Sequence, residues 1–282
     1  MSYELTEKSD LKFPEEMYFR ETGVCRFSLL DGTEIVGVSG NTWEEYSDLL
    51  KSVSPTDRFV ASPELITSAG MSFDEMAENT NLINQRIEEL VNFSTDFKET
   101  VFVLGTPLFV NERPRNSVLV IKAGEIVGVT NKRFSATDEE NQFFEMIPEE
   151  SPLLLPNTNT AIVICSDLVL ASMYAGYTED IIREILRLSG KEDLIGRGMK
   201  VIPNGADSIL LVSCWSVGGR FVAEGQADEY YRNQLRNITW RLMRETPVKE
   251  MVIIDRVPTN LPDEVMRLTP TRPYNGVLKK RN

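Results

Sequence analysis

Residues 116–132 read NSVLVIKAGEIVGVTNK, which is the pattern of a β-hairpin that ends on a lysine. The apolar run VLVI predicts the first strand, and Lys122–Gly124 turn the chain. Ile126–Val129 form the predicted return strand, which runs directly into Lys132. The hairpin therefore places an amine at the end of a strand.

Two further strands end on a reactive side chain. Residues 161–172 read AIVICSDLVLAS, so a continuous apolar strand delivers Cys165 where it stops. Upstream, residues 59–70 read FVASPELITSAG, and a shorter apolar run leads to Glu64 in the same way. Together with Lys132, the three strand ends offer a carboxylate, an amine and a thiol.

Each of these residues taken alone has a simpler explanation. A cysteine on an apolar strand is usually a small buried hydrophobe, and Glu64 or Lys132 can be a solvated charge where a strand ends. The occurrence of all three residues together favours a catalytic role, because a thiol nucleophile needs a base or a nearby cation. Glu64 can take the thiol proton and pass it to a leaving amine. Lys132 can stabilise a thiolate and then an oxyanion.

At these residues the sequence resembles the carbon–nitrogen hydrolases of the nitrilase superfamily. The match is good over residues 58–167 and weaker from there to residue 255. The segments that carry it, in chain order, are Pro63-Glu64-Leu65, Gly105–Pro107, Asn116-Ser117, Gly124–Gly128, Asn131-Lys132, Cys165-Ser166-Asp167 and Gly205-Ala206-Asp207.

The resemblance implies an α/β fold, a four-layer α-β-β-α sandwich with two mixed sheets. The alternation of strands and helices along most of the chain agrees with this fold class. The resemblance also implies a homodimer or higher homo-oligomer, since members of the family pair through helices. The implied activity is hydrolysis of a non-peptide carbon–nitrogen bond through a cysteine thioester. An amide or carbamoyl group is the preferred substrate, with a nitrile as the alternative.

The same resemblance implies a catalytic triad of Glu64, Lys132 and Cys165. The family places a second glutamate after the lysine, and both Glu140 and Glu145 lie in range. We favour Glu145, because the two phenylalanines before it can anchor it inside the protein.

Two more residues are expected at the site. The backbone N–H of Ser166 is the natural oxyanion donor together with Lys132. Trp215 follows a strand near where relatives line the pocket, although a core tryptophan fits equally well.

The segment after Cys165 departs from the family. Ser166 stands where relatives often carry an aromatic residue, the usual Phe-Pro-Glu is missing, and about 40 residues separate Cys165 from Gly205. These departures leave a second hypothesis open, namely a non-catalytic, nitrilase-like binding or scaffold protein.

The composition excludes several other classes of function. The net charge is −13, from 43 acidic and 30 basic residues, which argues against nucleic acid as a partner. No apolar run is long enough for a membrane span, and the charged N-terminus lacks a signal-peptide core. The three cysteines are an odd number at wide spacing, which favours a reducing compartment. We therefore expect a cytoplasmic protein.

The chain contains no histidine. This excludes every Ser–His or Cys–His nucleophile and zinc sites of the Cys–His kind. No glycine-rich phosphate loop and no calcium loop is present either, so we expect neither a cofactor nor a metal.

The chain divides into three predicted regions. Residues 1–20 are a polar, flexible N-terminal arm, and residues 21–257 form the hydrolase-like domain. That domain opens with a hairpin around Asp31-Gly32, a strong two-residue turn signal. Residues 258–282 hold four prolines and finish basic, so we expect an extended tail outside the core.

Overall fold

The structure is a computed structural model. It describes residues 23–110, 113–135, 138–147, 153–173, 202–203, 205–214, 227–256 and 275–280. The predicted N-terminal arm lies outside these ranges, as does most of the predicted tail.

Six strands form the first sheet, in the spatial order β1-β2-β3-β4-β5-β6. Strands β2, β3 and β4 run parallel to one another, whereas the remaining neighbours are antiparallel, so the sheet is mixed. Both predicted hairpins are confirmed, as β1–β2 and β5–β6. The bounds are β1 Gly23–Ser28, β2 Glu34–Ser39, β3 Phe59–Ala61, β4 Val101–Leu108, β5 Arg115–Lys122 and β6 Glu125–Asn131.

Four strands form the second sheet, in the order β10-β9-β8-β7. Strands β7, β8 and β9 are parallel and in register, with Ile164 beside Val212 and Val212 beside Ile254. Strand β10 is antiparallel to β9, so this sheet is mixed too. The bounds are β7 Thr160–Ile164, β8 Ser208–Val212, β9 Glu250–Ile254 and β10 Gly276–Lys279.

The helices begin at polar caps that the sequence supplies. Thr42 accepts a hydrogen bond from the Glu45 N–H at the start of α1, and Ser72 with Glu75 forms a capping box at the start of α2. Asn79 separates α2 from α3, although the capping signal at Ser72 and the apolar spacing through Val91 predict a single helix. The bounds in the described residues are α1 Trp43–Leu50, α2 Phe73–Glu78, α3 Thr80–Ser94, α4 Asp138–Phe143, α5 Asp167–Met173 and α6 Ala227–Glu245.

The two sheets pack face to face over a shared apolar core. Phe59 and Val103 from the first sheet belong to the same buried cluster as Ile164, Val212 and Val252 from the second. These strands are buried on both faces, which explains why they read as continuous apolar runs rather than alternating ones.

Helices cover the outer face of each sheet. Phe102 on the first sheet packs in one cluster with Tyr46 of α1 and Leu90 of α3. Ile209 on the second sheet packs in another with Leu235 of α6. The layer order is helix, sheet, sheet, helix, which confirms the predicted four-layer α-β-β-α sandwich.

Glycine and proline weaken strands, so the sequence predicts that Gly105–Pro107 break the fourth strand, and this prediction is wrong. Strand β4 continues to Leu108, and Pro107 pairs with Asn116 of β5. A proline is tolerated there because β3 ends at Ala61, so that end of β4 has a strand neighbour on one side only.

The prediction of a tail wholly outside the core is also wrong for the residues of β10. Val277 and Leu278 are both buried, one in the core between the sheets and the other under α6. Alternate side chains of a strand point to opposite faces, so this short segment contributes to two layers at once.

Across the ranges that the structure describes, no helix is both long enough and apolar enough to cross a lipid bilayer.

Candidate active site

Glu64 lies just past β3, and both sheets hold its backbone. Its N–H donates to the Ser213 carbonyl oxygen at 3.2 Å, and its carbonyl oxygen accepts from Arg256 Nε at 2.8 Å. Ser213 and Arg256 follow strands of the second sheet, whereas Glu64 follows a strand of the first. The Glu64 side chain is 3% exposed. The carboxylate is therefore fixed at the seam between the sheets and shielded from solvent.

Lys132 lies at the end of β6 and reaches two carboxylates. Its Nζ donates to Glu64 Oε1 at 2.9 Å and to Glu140 Oε1 at 2.5 Å. Burial works against the charged amine, but Cys165, Glu64 and Glu140 outweigh it, so the pKa of Lys132 is raised well above its usual value. Lys132 therefore stays an ammonium ion in a site closed to bulk water.

The second carboxylate at Lys132 is Glu140, so our preference for Glu145 is wrong as to placement. Glu140 lies in α4 and is buried, whereas Glu145 lies beyond that helix and forms an ion pair with Arg115 at 2.8 Å. The Glu145 side chain is 38% exposed. Phe144 is fully buried, as we expected. The glutamate that shares its buried helical face is Glu140, one turn earlier, and not Glu145.

Cys165 occupies the turn between β7 and α5. Its φ is 41°, a left-handed conformation that is uncommon for a residue other than glycine. Its N–H still donates to the Val212 carbonyl oxygen at 3.0 Å, so the turn begins where pairing with β8 ends. Burial and Glu64 raise the pKa of the Cys165 thiol well above its usual value, while Lys132 opposes the shift. The thiol rests neutral and needs a base before it can attack.

The residues after Cys165 are tied to the residues after Lys132. Ser166 Oγ donates to the Phe134 carbonyl oxygen at 2.5 Å. Asp167 Oδ1 accepts from the N–H groups of Arg133 and Phe134, both at 3.1 Å. Burial raises the pKa of Asp167 to about 7 although Lys132 and Arg133 lower it. These bonds hold the thiol and the ammonium ion in register.

The backbone N–H of Ser166 meets no hydrogen-bond acceptor among the described residues. It is thus free to donate to a ligand, which is what an oxyanion donor requires. Trp215, the other residue expected to line the pocket, lies outside the described residues.

Two residues at the site were missed by the sequence reasoning. Asn116 Nδ2 donates to Glu64 Oε1 at 2.6 Å and to Glu140 Oε1 at 3.2 Å. The Cys214 N–H donates to Glu64 Oε2 at 2.8 Å, and its thiol interacts electrostatically with Cys165 and Glu64. The sequence shows no charged partner for Cys214, whereas the structure places Glu64 beside it. The position of Cys214 near Cys165 follows from the order of the strands. Strands β7 and β8 are parallel neighbours, so their carboxyl ends meet at one edge of the sheet.

The side chains that converge at this site can carry out acid–base chemistry at a thiol. Within the described ranges, no cluster of three or more cysteine, aspartate or glutamate side chains is arranged to hold a metal ion. The groups that converge are one thiol, one ammonium ion, two carboxylates and an amide.

A scan against protein-family models finds no match for this chain, and a search of curated proteins finds no relative. Solved structures do match. A cysteine-to-alanine mutant of the amidase from Nesterenkonia sp. AN1, of the nitrilase superfamily, is 11% identical with a TM-score of 0.54, covering 96% of this chain and 92% of that chain. The same amidase was also solved with an acetamide moiety added covalently at its active-site cysteine, at 11% identity, TM-score 0.50, and coverage of 78% and 74%.

A second protein matches to a similar degree. The CN-hydrolase superfamily protein XC1258 from Xanthomonas campestris, solved with an arsenic adduct in its active site, is 13% identical with a TM-score of 0.54, covering 88% of this chain and 87% of that chain. A glutamine-dependent NAD+ synthetase from Acinetobacter baumannii is 16% identical with a TM-score of 0.47; the match spans 86% of this chain but 37% of the synthetase. The chain under study thus has the fold of the nitrilase-superfamily carbon–nitrogen hydrolases, as a divergent version of it.

Proposed function

We propose that this protein hydrolyses a non-peptide carbon–nitrogen bond, with Cys165 as the nucleophile. The observation that carries the proposal is the contact of Lys132 Nζ with Glu64 Oε1 at 2.9 Å and Glu140 Oε1 at 2.5 Å, in a buried centre that includes the thiol. The substrate class is a small amide or carbamoyl compound, with a nitrile as the alternative. A structural neighbour described as an amidase, from Nesterenkonia sp. AN1, supports an amide.

In the first half of the reaction, Glu64 acts as the base. It takes the proton from Cys165 Sγ while the sulfur forms a bond to the substrate carbonyl carbon. The carbonyl oxygen becomes an oxyanion, which Lys132 Nζ and the Ser166 N–H stabilise. When the intermediate collapses, the carbon–nitrogen bond breaks, and the protonated Glu64 returns its proton to the leaving amine. A thioester on Cys165 remains.

In the second half, water replaces the amine. Glu64 takes a proton from the water while its oxygen attacks the thioester carbon, again through an oxyanion at Lys132. The carbon–sulfur bond then breaks, the carboxylic acid leaves, and the thiol regains its proton from Glu64. Burial and the nearby carboxylate of Glu64 raise the pKa of the Cys165 thiol, so the resting thiol is protonated. The base is necessary because it removes this proton before the sulfur attacks.

A panel of small aliphatic amides, carbamoyl compounds and nitriles, screened for ammonia release, tests the proposal. We expect turnover of at least one amide or carbamoyl compound, and none by the matched Cys165→Ala protein. A thioester trapped on Cys165 and detected as a mass increase of the intact chain identifies the nucleophile. Folded wild-type protein that turns over no member of the panel and forms no adduct would instead support the non-catalytic binding protein.

A further inference from the structure

Asn116 makes more contacts with the candidate centre than any role as a strand residue requires. Its Nδ2 donates to Glu64 Oε1 and Glu140 Oε1, the same two oxygens that accept from Lys132 Nζ. The four groups form a closed ring in which amide and ammonium alternate with the two carboxylates. All four side chains are at least nine-tenths buried.

The backbone of Asn116 holds the same lysine. Its carbonyl oxygen accepts from the Lys132 N–H at 2.7 Å, where β5 passes β6. One residue therefore fixes the main chain of Lys132 and both carboxylates that Lys132 contacts. A displacement of Asn116 would disturb three members of the centre together.

The orientation of the amide is forced and has a cost. Turning the amide over would bring Asn116 Oδ1 against two carboxylate oxygens, so the nitrogen must face them. Oδ1 then has no hydrogen-bond partner among the described residues, although it is buried. An orphaned buried acceptor destabilises the folded state. The fold accepts this cost in exchange for two donors at the carboxylates.

These donors have a clear electrostatic purpose. Two carboxylates held by one ammonium ion repel each other, and adding a second cation would neutralise the base. A neutral amide stabilises both negative charges without adding charge, because hydrogen bonds to a carboxylate favour its ionised form. In the low-dielectric interior such bonds are stronger than in water.

We propose that Asn116 is a positioning residue for the hydrolysis, which keeps Glu64 and Glu140 oriented around Lys132. The inference rests on the proposed function, since it assigns Asn116 a part in that reaction. Asn116 acts through the two glutamates and the lysine and needs no contact with the substrate.

The test is Asn116→Leu, which keeps the branched shape of the side chain and removes both donors. We expect kcat to fall about 100-fold, the loss that a small misplacement of catalytic groups can cause, with KM changed far less. A residue with a merely structural role would lower stability without this split between kcat and KM.

Ser117→Ala is the matched control. Ser117 is the next residue of β5 and donates to Asn131 Oδ1 at 2.6 Å, but it contacts neither carboxylate. Its loss should lower stability and leave kcat and KM near those of the wild type. If Asn116→Leu fails to fold, Asn116→Ala also removes both donors without adding volume, and we expect the same loss of kcat.

Alkylation of Cys165 by iodoacetamide separates this inference from the proposed function. Its rate at a fixed pH depends on the groups around the thiol and requires no turnover of an amide. If the wild-type protein hydrolyses nothing but Asn116→Leu still changes that rate, hydrolysis fails and the role of Asn116 at the carboxylates stands. If the rate is unchanged, or if Ser117→Ala changes it equally, the inference is overturned.

Discussion

Gly105 lies directly against the backbone of Glu64. A Cβ added to Gly105 would stand 2.7 Å from Glu64 Cα and 2.3 Å from the Pro63 carbonyl oxygen. The same glycine donates its N–H to Ser62 Oγ at 2.9 Å, so β4 contacts the chain on both sides of Pro63. Because residue 105 has no side chain, the backbone of Glu64, the candidate base, can lie directly against β4.

Gly105→Ala should impair activity more than stability. The new methyl group meets backbone atoms that cannot rotate away, so the segment carrying Glu64 must shift. We expect about 1–3 kcal/mol lower stability, as for other overpacked sites, and kcat lower by about 100-fold. Chemical denaturation and the amide assay measure the two effects.

Gly128→Ala is the control for this prediction. Its new methyl group would meet the end of the Leu153 side chain at 3.0 Å, and a side chain can adjust. We expect its activity to stay near that of the wild type. Equal loss of activity in both proteins would mean that the close approach of Gly105 to Glu64 is not specific to function.

Glu140 and Glu145 offer a direct comparison between two glutamates. Glu140→Gln removes a charge that contacts Lys132 at 2.5 Å, whereas Glu145→Gln removes only the partner of Arg115 near the surface. We expect Glu140→Gln to lower kcat by about 100-fold, comparable to losing one electrostatic contact in an active site. Glu145→Gln should cost no more than about 1 kcal/mol of stability and leave turnover intact. The opposite ranking in the amide assay would restore Glu145 as the functional residue.

The sequence contained a signal that distinguishes these two glutamates. Residues four apart lie on the same face of a helix, and the N–H of Phe144 donates to the Glu140 carbonyl oxygen at 2.8 Å. Once Phe144 is taken as buried, Glu140 must face inward with it, and Glu145 is turned away. The many acidic residues of this segment predict a solvated loop, in which helical spacing has no meaning.

The strand ends were predicted well because apolar runs identify them without tertiary information. Glu64, Lys132 and Cys165 were found in this way, and the structure brings them together. Asn116 was not predicted as a site residue, because its role depends on two carboxylates that are distant in sequence. No local pattern carries that information. The pairing of β10 with β9 was missed for the same reason, since only the packed sheets show which faces Val277 and Leu278 cover.

Lys132→Met should expose the electrostatic role of the ammonium ion. Lys132 lowers the pKa of the Cys165 thiol, so its loss should slow alkylation by iodoacetamide about tenfold or more. Cys25 serves as the internal standard, and mass mapping of partly labelled protein gives both rates. An unchanged rate at Cys165 would show that the cation does not act on the thiol.

The same substitution should also destabilise the protein. It leaves Glu64 and Glu140 buried without their cation, and breaking a buried ion pair costs about 3–5 kcal/mol. The double change Lys132→Met with Glu140→Gln should recover part of that stability but no turnover. Denaturation midpoints of the two proteins decide this, since equal midpoints would mean that the two carboxylates do not repel each other.

Asp167 should make the stability of the wild-type protein depend on pH. Its folded-state pKa is about 7, raised from 3.8, so the folded protein binds this proton more tightly than the unfolded chain does. The stabilisation is fully present below pH 4 and is lost as the pH rises through 7. Over this window the loss is on the order of a few kcal/mol.

Asp167→Asn removes this dependence and keeps an oxygen for the N–H groups of Arg133 and Phe134. Relative to the wild type, its free energy of unfolding should therefore rise between pH 5 and pH 8. Urea denaturation of both proteins at the two pH values measures the difference, and the neutral surface change Gln85→Ala provides a reference that should show none. A constant difference between Asp167→Asn and the wild type would mean that the buried carboxyl does not titrate in this range, and that Asp167 holds the two loops together equally well in either protonation state.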